Sequence, residues 1–279
     1  MFKFSDVFND VPEIHIVDVG ASPIDGDPVY KPILDQGGYR LTCFEPNPAM
    51  FEELAKQIDP NMTCLPYALG DGNDGMLNIC FAPGMNSLFE PYHELLELFH
   101  GYGEWARVLN QIPVLTHRLD DLEEVKNIDF IKLDVQGSEL AVLENATEQL
   151  KNILVVHVET LLIPHYKNQP LFGEIDLSLR KAGFLFHKFE QMVSRIFKPL
   201  KRNNDIYAGL SQVHWADAVY VRSFMDFKEL QPAQLLKLAR ILHEMYGSVD
   251  MAQFALHHGD LQTGENRQSI YLERLTGNK

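Results

Sequence analysis

Acidic and imidazole side chains stand at the ends of several apolar runs in this sequence. Asp18, Glu45 and Asp134 each close or follow such a run, and His157 and Glu159 lie near the end of another. Carboxylates and imidazoles placed in this way can accept hydrogen bonds from ligand hydroxyls and amines, and they can take up or release a proton. Because His157 and Glu159 are two residues apart in a predicted strand, their side chains point to the same face.

The apolar runs are rich in β-branched residues, which predicts buried parallel strands. Beyond Asp134 the apolar residues recur at helical spacing, so a helix is predicted there. Residues 14–45 have the order strand, loop, helix, strand and acid, which is typical of the nucleotide-binding half of a doubly wound sheet. Such sheets bind ligands at the carboxyl ends of their strands, which is where Asp18, Glu45 and Asp134 are predicted to lie.

The loop after the first strand offers Gly20, Ala21, Ser22 and Gly26 rather than the three glycines of a dinucleotide fingerprint. The missing glycines argue against a pyrophosphate lying on the backbone. A nucleoside without phosphates, such as S-adenosylmethionine, is less demanding. Glu45 could accept hydrogen bonds from its ribose, and the carboxylates of Asp18 and Asp134 suit its sulfonium and ammonium groups. Alternatively, Asp18 caps the loop and Glu45 is an exposed acid that precedes a helix.

Two further segments could complete such a pocket. Ala68 and Leu69 could lie against an adenine face, with Asp71 accepting from the exocyclic amine, although a plain strand and turn has the same pattern. Residues 88–110 are predicted to be a helical insertion with an aromatic stripe. Such a stripe favours core packing, and a lid over a substrate is the alternative.

The formal net charge of -15 argues against binding nucleic acid through its phosphates or lying on an anionic membrane. The spacing of Cys43, Cys64 and Cys80 matches no zinc or redox motif, which predicts reduced thiols in a cytoplasmic protein. No apolar run approaches the ~20 residues of a membrane span, and the N-terminus lacks the apolar core of a signal peptide.

His157 and Glu159 could also be metal ligands, but no spacing pattern names a third ligand, so no metal is predicted. General acid or base chemistry and a hydrogen-bonded pair inside the sheet are the remaining interpretations. Later in the chain, residues 191–213 are predicted to be irregular. They hold a basic cluster that could contact an anionic acceptor or form a solvated loop; its members are Arg195, Lys198, Lys201 and Arg202.

From Phe227 onward the pattern is helical throughout. The sequence therefore predicts a Rossmann-like domain at residues 1–225, containing the insertion at 88–110, and a helical C-terminal appendage at 226–279. The appendage could pack on the domain or make a homo-oligomer with a second copy.

Several stretches taken in order resemble the FkbM-type methyltransferase family: residues 16–21, 43–48, 68–71, 119–122, 129–146, Val158–Glu159 with Tyr166 and residues 169–170, and 215–222. The resemblance implies a mostly parallel, Rossmann-like class I sheet of seven strands whose last strand is antiparallel. It implies that S-adenosylmethionine is bound and that a hydroxyl oxygen of a small molecule or glycan is methylated.

By this resemblance the region around Gly20, with Ala21 and Ser22, faces the methionine part of the cofactor. Glu45, with Asn47 beside it, holds the ribose. Ala68, Leu69 and Asp71 bracket the adenine, and Asp134 lies beside the sulfonium and the acceptor. Three positions depart from the family: Ser22 and Ile24 stand where Asn and then Gly are usual, and Gln136 stands where Glu is frequent.

The candidates for a base that takes the proton of the acceptor are Asp134, His157 and Glu159, with Asp134 preferred. Two other functions fit parts of the pattern. A nicotinamide-dependent oxidoreductase would use Glu45 in the same way, although the glycines are missing. A non-catalytic module could keep the cofactor fold and act through its helical C-terminus.

Overall fold

Seven strands form the central sheet of the protein in the computed structural model, which describes residues 2–22, 26–57 and 59–277. In spatial order they are β3 (Met62–Leu65), β2 (Tyr39–Phe44), β1 (Ile14–Val19), β7 (Phe130–Leu133), β8 (Val155–Leu161), β10 (Gln212–Arg222) and β9 (Phe184–Arg195). The first five are parallel, and β10 is antiparallel to both of its neighbours. The predicted sheet, with its antiparallel last strand, is confirmed.

The order of the strands reverses between β1 and β7. From β1 the chain moves outward through β2 to β3, and it later returns to pair β7 on the other side of β1. The reversal opens a crevice at the carboxyl ends of these two strands, where open α/β sheets bind ligands. A smaller sheet in the order β4 (Ala68–Leu69), β6 (Val108–His117) and β5 (Asp74–Cys80) lies in the chain between β3 and β7.

The α-helices are α1 (Lys31–Leu34), α2 (Pro48–Leu54), α3 (His93–Leu96), α4 (Tyr102–Trp105), α5 (Glu139–Glu144), α6 (Phe172–Lys181), α7 (Pro232–Tyr246), α8 (Val249–Thr263) and α9 (Arg267–Thr276). Short 3-10 helices lie at Phe4–Asp6, Pro83–Met85, Leu119–Asp121, Gln149–Lys151 and Phe224–Glu229. None of the helices in the described ranges is long and apolar enough to cross a membrane.

Two local predictions were wrong in their extent. The segment 88–110 holds only the two short helices α3 and α4, and Val108 already begins strand β6. Residues 191–213 were expected to be irregular, but β9 extends to Arg195 and β10 begins at Gln212. In the second case the pairing of two long antiparallel strands overrides the weak local pattern.

Side chains of alternate residues divide the sheet into two faces. Val17, Ile131 and Val156 belong to the buried cluster that contains α5 and α6, whereas Ile16, Phe130 and Val155 belong to the cluster that contains α7 and α8. On this second face the strands become polar toward their carboxyl ends. There the side chains of Asp18, Lys132 and His157 are neighbours, because their backbones are paired across β1, β7 and β8.

The C-terminal helices contact this second face through polar groups as well as apolar ones. Lys237 of α7 forms an ion pair with Asp129 at 2.8 Å, and Arg240 donates to the carbonyl of Gly37 at 2.6 Å. The helices thus share a core with the sheet. A boundary between a domain at 1–225 and an appendage at 226–279 stays a prediction.

Candidate functional site

A cavity of about 1180 Å³ opens at the carboxyl edge of the sheet, above the reversal between β1 and β7. It exceeds the range of about 300–1,000 Å³ that is usual for one small ligand, so it has room for two molecules. The structure brings nearly all of the site residues expected from the sequence to its wall: Asp18, Gly20, Ala21, Ser22, Glu45, Asn47, Ala68, Leu69, Asp134, His157 and Glu159.

The turn after β1 approaches the end of β7 so closely that only glycine fits. Gly20 has a φ of +83°, and a Cβ atom built there would lie 1.9 Å from the carbonyl oxygen of Asp134. The Gly20 N–H donates to Phe44 of β2 at 3.0 Å. The ends of three strands therefore meet at one residue, and the bare backbone there is open to a ligand.

Three buried oxygen atoms at this end of the cavity have no hydrogen-bond partner among the described residues. They are Oδ1 of Asp18 and the hydroxyl oxygens of Ser22 and Ser138, all in side chains that line the cavity. The other oxygen of Asp18 accepts from the Tyr30 hydroxyl at 2.6 Å. Buried polar atoms are rarely left without a partner, so these three mark places where a polar ligand fits.

Glu45 and Asn47 stand where β2 turns into α2. One carboxylate oxygen of Glu45 accepts from the N–H of Asn47 at 2.7 Å, and the Asn47 side chain accepts from Ala49 as the N-cap of the helix. Pro48 favours this helix start, since its ring fixes a helical φ. The turn thus fixes the position of the Glu45 carboxylate at the carboxyl end of β2.

Ala68 and Leu69 form a buried apolar wall of the cavity, but Asp71 is not among its described lining residues. The Asp71 carboxylate accepts from the Asn73 side chain, the Asn73 N–H and Thr116, and these hydrogen bonds lower its pKa. Asp71 thus closes a turn and does not face the apolar wall formed by Ala68 and Leu69. Its contact with an adenine stays a prediction.

Lys132 is a site residue that the sequence analysis missed. Its ammonium donates to Asp134 at 3.3 Å and lies 3.7 Å from Asp18, and its side chain is only 16% exposed. A lysine two residues before Asp134 in an otherwise apolar strand must point to the same face as that acid. That spacing could have identified it.

Gln136 joins three side chains of the site. Its amide nitrogen donates to Asp134 at 3.0 Å and to Glu159 at 2.6 Å, and its amide oxygen accepts from the Tyr166 hydroxyl at 2.9 Å. Its backbone has the left-handed φ of +52°, and its carbonyl accepts from Ser87. Gln136 therefore links β7, β8 and the loops above them, which the sequence did not reveal.

The two carboxyl groups that Gln136 connects have opposite protonation tendencies. Burial raises the pKa of Glu159 well above its ordinary 4.5, and the charge of Asp134 raises it further. Burial acts in the same direction on Asp134, but the charge of Lys132 and the hydrogen bond from Gln136 hold its pKa below 3.8. Of the two carboxyl groups, Asp134 therefore ionises more readily, and Glu159 holds its proton to higher pH.

His157 is buried between α7 and β10. Its Nδ1 is 3.1 Å from the Tyr246 hydroxyl, and its Nε2 is 3.7 Å from a carboxylate oxygen of Asp217. Asp217 lines the cavity and is paired with Glu159 across β8 and β10. Among the described residues no group of three metal-ligand side chains is found.

The other end of the cavity is aromatic. Tyr102, Trp105, His165 and Trp215 all line it, and the rings of Tyr102 and Trp105 are 5.1 Å apart. Burial lowers the pKa of His165 to about 3, so this imidazole is neutral at physiological pH. Two of the four residues come from the segment 88–110, which thus contributes to the wall. Of the loop positions that depart from the expected family pattern, Ser22 lines the cavity and Ile24 lies outside the described residues.

Solved structures resemble the fold at low sequence identity. Magnesium protoporphyrin IX methyltransferase from Synechocystis PCC 6803, with bound SAM, has 13% identity and a TM-score of 0.36, over 77% of this chain and 73% of that one. TYW2 from M. jannaschii, in complex with AdoMet, has 12% identity and a TM-score of 0.34, over 76% and 71%. No curated protein matches significantly.

The profile of the methyltransferase FkbM domain matches residues 18–186, which is more than half of the 279 residues. The matched range begins at Asp18, contains Glu45, Asp134 and Glu159, and ends within β9. The chain belongs to the FkbM methyltransferase family.

Proposed function

We propose that this protein is an S-adenosylmethionine-dependent methyltransferase that methylates a hydroxyl oxygen of a sugar or another small metabolite in the cytoplasm. The observation that carries the proposal is the cavity at the reversal of the sheet. In it a glycine turn, an acid at the end of β2 and three buried oxygens without a hydrogen-bond partner among the described residues surround one space.

The residues of this space fit the parts of the cofactor. The oxygens of Asp18, Ser22 and Ser138 suit its ammonium and carboxylate groups, since a carboxylate accepts and a hydroxyl both donates and accepts. Glu45 accepts from the ribose hydroxyls, and Ala68 with Leu69 contacts the adenine face. When bound, S-adenosylmethionine supplies a methyl group on a sulfonium that a nucleophilic oxygen can displace in line.

The remaining residues orient the acceptor and move its proton. The ionised carboxylate of Asp134 suits the sulfonium cation electrostatically and leaves the proton of the acceptor hydroxyl to a second group. Glu159 is the proton acceptor once it has lost its own proton, because its raised pKa makes it the stronger base of the pair. His157 is a positioning residue between the Tyr246 hydroxyl and Asp217, and Asp217 is paired with Glu159 across β8 and β10.

Calorimetric titration of the purified chain with S-adenosylmethionine and S-adenosylhomocysteine tests the proposal, with NADH as the control ligand. We expect micromolar binding of the adenosyl ligands, no binding of NADH, and loss of adenosyl binding in Glu45→Ala. Glu53→Ala is the matched control, because Glu53 is an exposed acid on α2. Binding of NADH would favour the oxidoreductase, and binding of none of the three would favour the non-catalytic module.

A further inference from the structure

The turn between β9 and β10 exposes an unusual set of side chains. We define the hairpin tip as residues 196–211. Four of its large apolar side chains are about half exposed or more: Phe197 at 49%, Leu200 at 58%, Tyr207 at 60% and Leu210 at 51%. Several exposed large apolar side chains within one short segment are typical of a contact surface.

The hairpin tip is also basic in a strongly acidic chain. It contains Lys198, Lys201 and Arg202 against Asp205, while the whole chain has a net charge of -15. Lys198 pairs with Glu97 at 3.0 Å, and the Asp205 carboxylate is held by the N–H of Tyr207. Lys201 and Arg202 are exposed and make no ion pair within the described residues. Two cations thus remain available beside the apolar side chains.

The hairpin tip is fixed to the rest of the molecule. The Lys198 N–H donates to Leu98, His100 is hydrogen-bonded to the carbonyl of Leu200, and Tyr207 stacks on Trp105 at 5.4 Å and 13°. Because Trp105 lines the cavity, the exposed surface borders the aromatic end of the candidate site. Leu98 itself is 50% exposed beside it.

We propose that the hairpin tip binds the surface of an anionic lipid bilayer, an interaction beyond the proposed methyl transfer. Apolar side chains enter the boundary between headgroups and acyl chains, while neighbouring cations attract anionic headgroups. A stable protein interface takes about 20–30 residues on each side, more than the hairpin tip supplies. The net charge of the whole chain argues against binding to an anionic membrane. However, electrostatic attraction to the bilayer surface falls off within about 10 Å, so the charge of the hairpin tip itself decides whether it binds.

Flotation with vesicles tests this inference. Vesicles of two parts phosphatidylcholine to one part phosphatidylglycerol should carry the protein upward, and pure phosphatidylcholine vesicles should carry much less. Lys201→Gln with Arg202→Gln should weaken binding by at least about tenfold, since each cation near the surface contributes about fivefold. Lys181→Gln with Lys228→Gln, two exposed lysines elsewhere, is the matched control and should bind normally.

A second pair of variants tests the apolar part. Leu200→Ser with Leu210→Ser should reduce flotation, whereas Leu177→Ser with Leu261→Ser, equally exposed elsewhere, should not. Absence of wild-type binding to the anionic vesicles would overturn the proposal. So would a concentration-dependent dimer in sedimentation that Leu200→Ser with Leu210→Ser dissolves, because the hairpin tip would then contact a second copy. Both readouts are independent of cofactor binding.

Discussion

At the scale of single residues, we expect Glu159 to decide how the proposed methyl transfer depends on pH. The substitution Glu159→Gln removes the titrating group but keeps the size of the side chain and a hydrogen-bonding oxygen, so the fold should survive. General base catalysis contributes about 10²–10⁴-fold, and a loss of that size is expected in methyl transfer to an accepted hydroxyl substrate. The wild-type rate should rise with pH until Glu159 is deprotonated, since its pKa lies above the ordinary value.

Initial rates of S-adenosylhomocysteine formation across a pH series measure both effects. Asp217→Asn is a useful comparison, because Asp217 lies opposite Glu159 on β10 and lines the same cavity. An unchanged rate and pH profile in Glu159→Gln would transfer the role of base to another group.

Glu139 makes stability depend on pH in a direction that can be predicted. Burial raises its pKa from 4.5 to about 7, although it accepts hydrogen bonds from the N–H groups of Val135 and Gly137. Since the folded state holds the proton more tightly than the unfolded state, stability is full below about pH 4.5 and falls as pH rises to about 7. The loss is about 3 kcal/mol.

Urea unfolding at a series of pH values measures this loss for the wild type and for Glu139→Gln. The variant keeps an acceptor oxygen for the loop but cannot ionise, so its free energy of unfolding should change less over the same pH range. Glu144→Gln, an exposed acid on the same helix, should behave as the wild type does. Equal slopes in all three proteins would show that Glu139 is not the titrating group.

At the scale of the elements, Gly20 is the contact between β1, β2 and β7. Gly20→Ala places a methyl group against the backbone of Asp134, which cannot move as a side chain could. Gly37→Ala is the matched control, because Gly37 has a φ of +76° but nothing within 4 Å of the added atom. The control should lose about 1–2 kcal/mol to left-handed strain. Gly20→Ala should lose at least about 2 kcal/mol more through overpacking.

Thermal and urea unfolding of the two variants provide the comparison. In addition, Gly20→Ala should lose S-adenosylhomocysteine binding, and Gly37→Ala should keep it, because Gly37 is absent from the described lining of the cavity. Equal destabilisation of the two variants would mean that the turn after β1 can move away from β7 without cost.

The elements also show how far the sequence predicts the structure. The strands ending at Asp18, Glu45 and Asp134 could be predicted, because long apolar runs and the acids after them are local features. Their meeting at one cavity followed from the topology of doubly wound sheets. The role of Gln136 could not be predicted from the sequence, because its three hydrogen-bond partners come from the end of β7, from β8 and from the loop of Tyr166. The length of β9 was missed because cross-strand pairing, and not local propensity, maintains it.

At the scale of the whole molecule, the position of α7–α9 decides whether the chain unfolds in one step. These helices pack on the sheet face that also carries His157, and Tyr246 of α7 contacts that imidazole. They contain more than half of the residues in the nine described α-helices, so the far-UV circular dichroism signal reports on them strongly. Trp105 and Trp215, the two tryptophans of the chain, report on the wall of the cavity.

We expect the far-UV signal and tryptophan fluorescence to show one coincident thermal transition, since a shared core unfolds cooperatively. S-adenosylmethionine at about 100 times its Kd should stabilise the folded state by about 2.7 kcal/mol and shift both signals together. An appendage that folds separately would instead lose its helical signal at a temperature that the ligand leaves unchanged. Whether the two transitions coincide without ligand tests the shared core by itself. A failure of cofactor binding can therefore be distinguished from separate unfolding of the C-terminal helices.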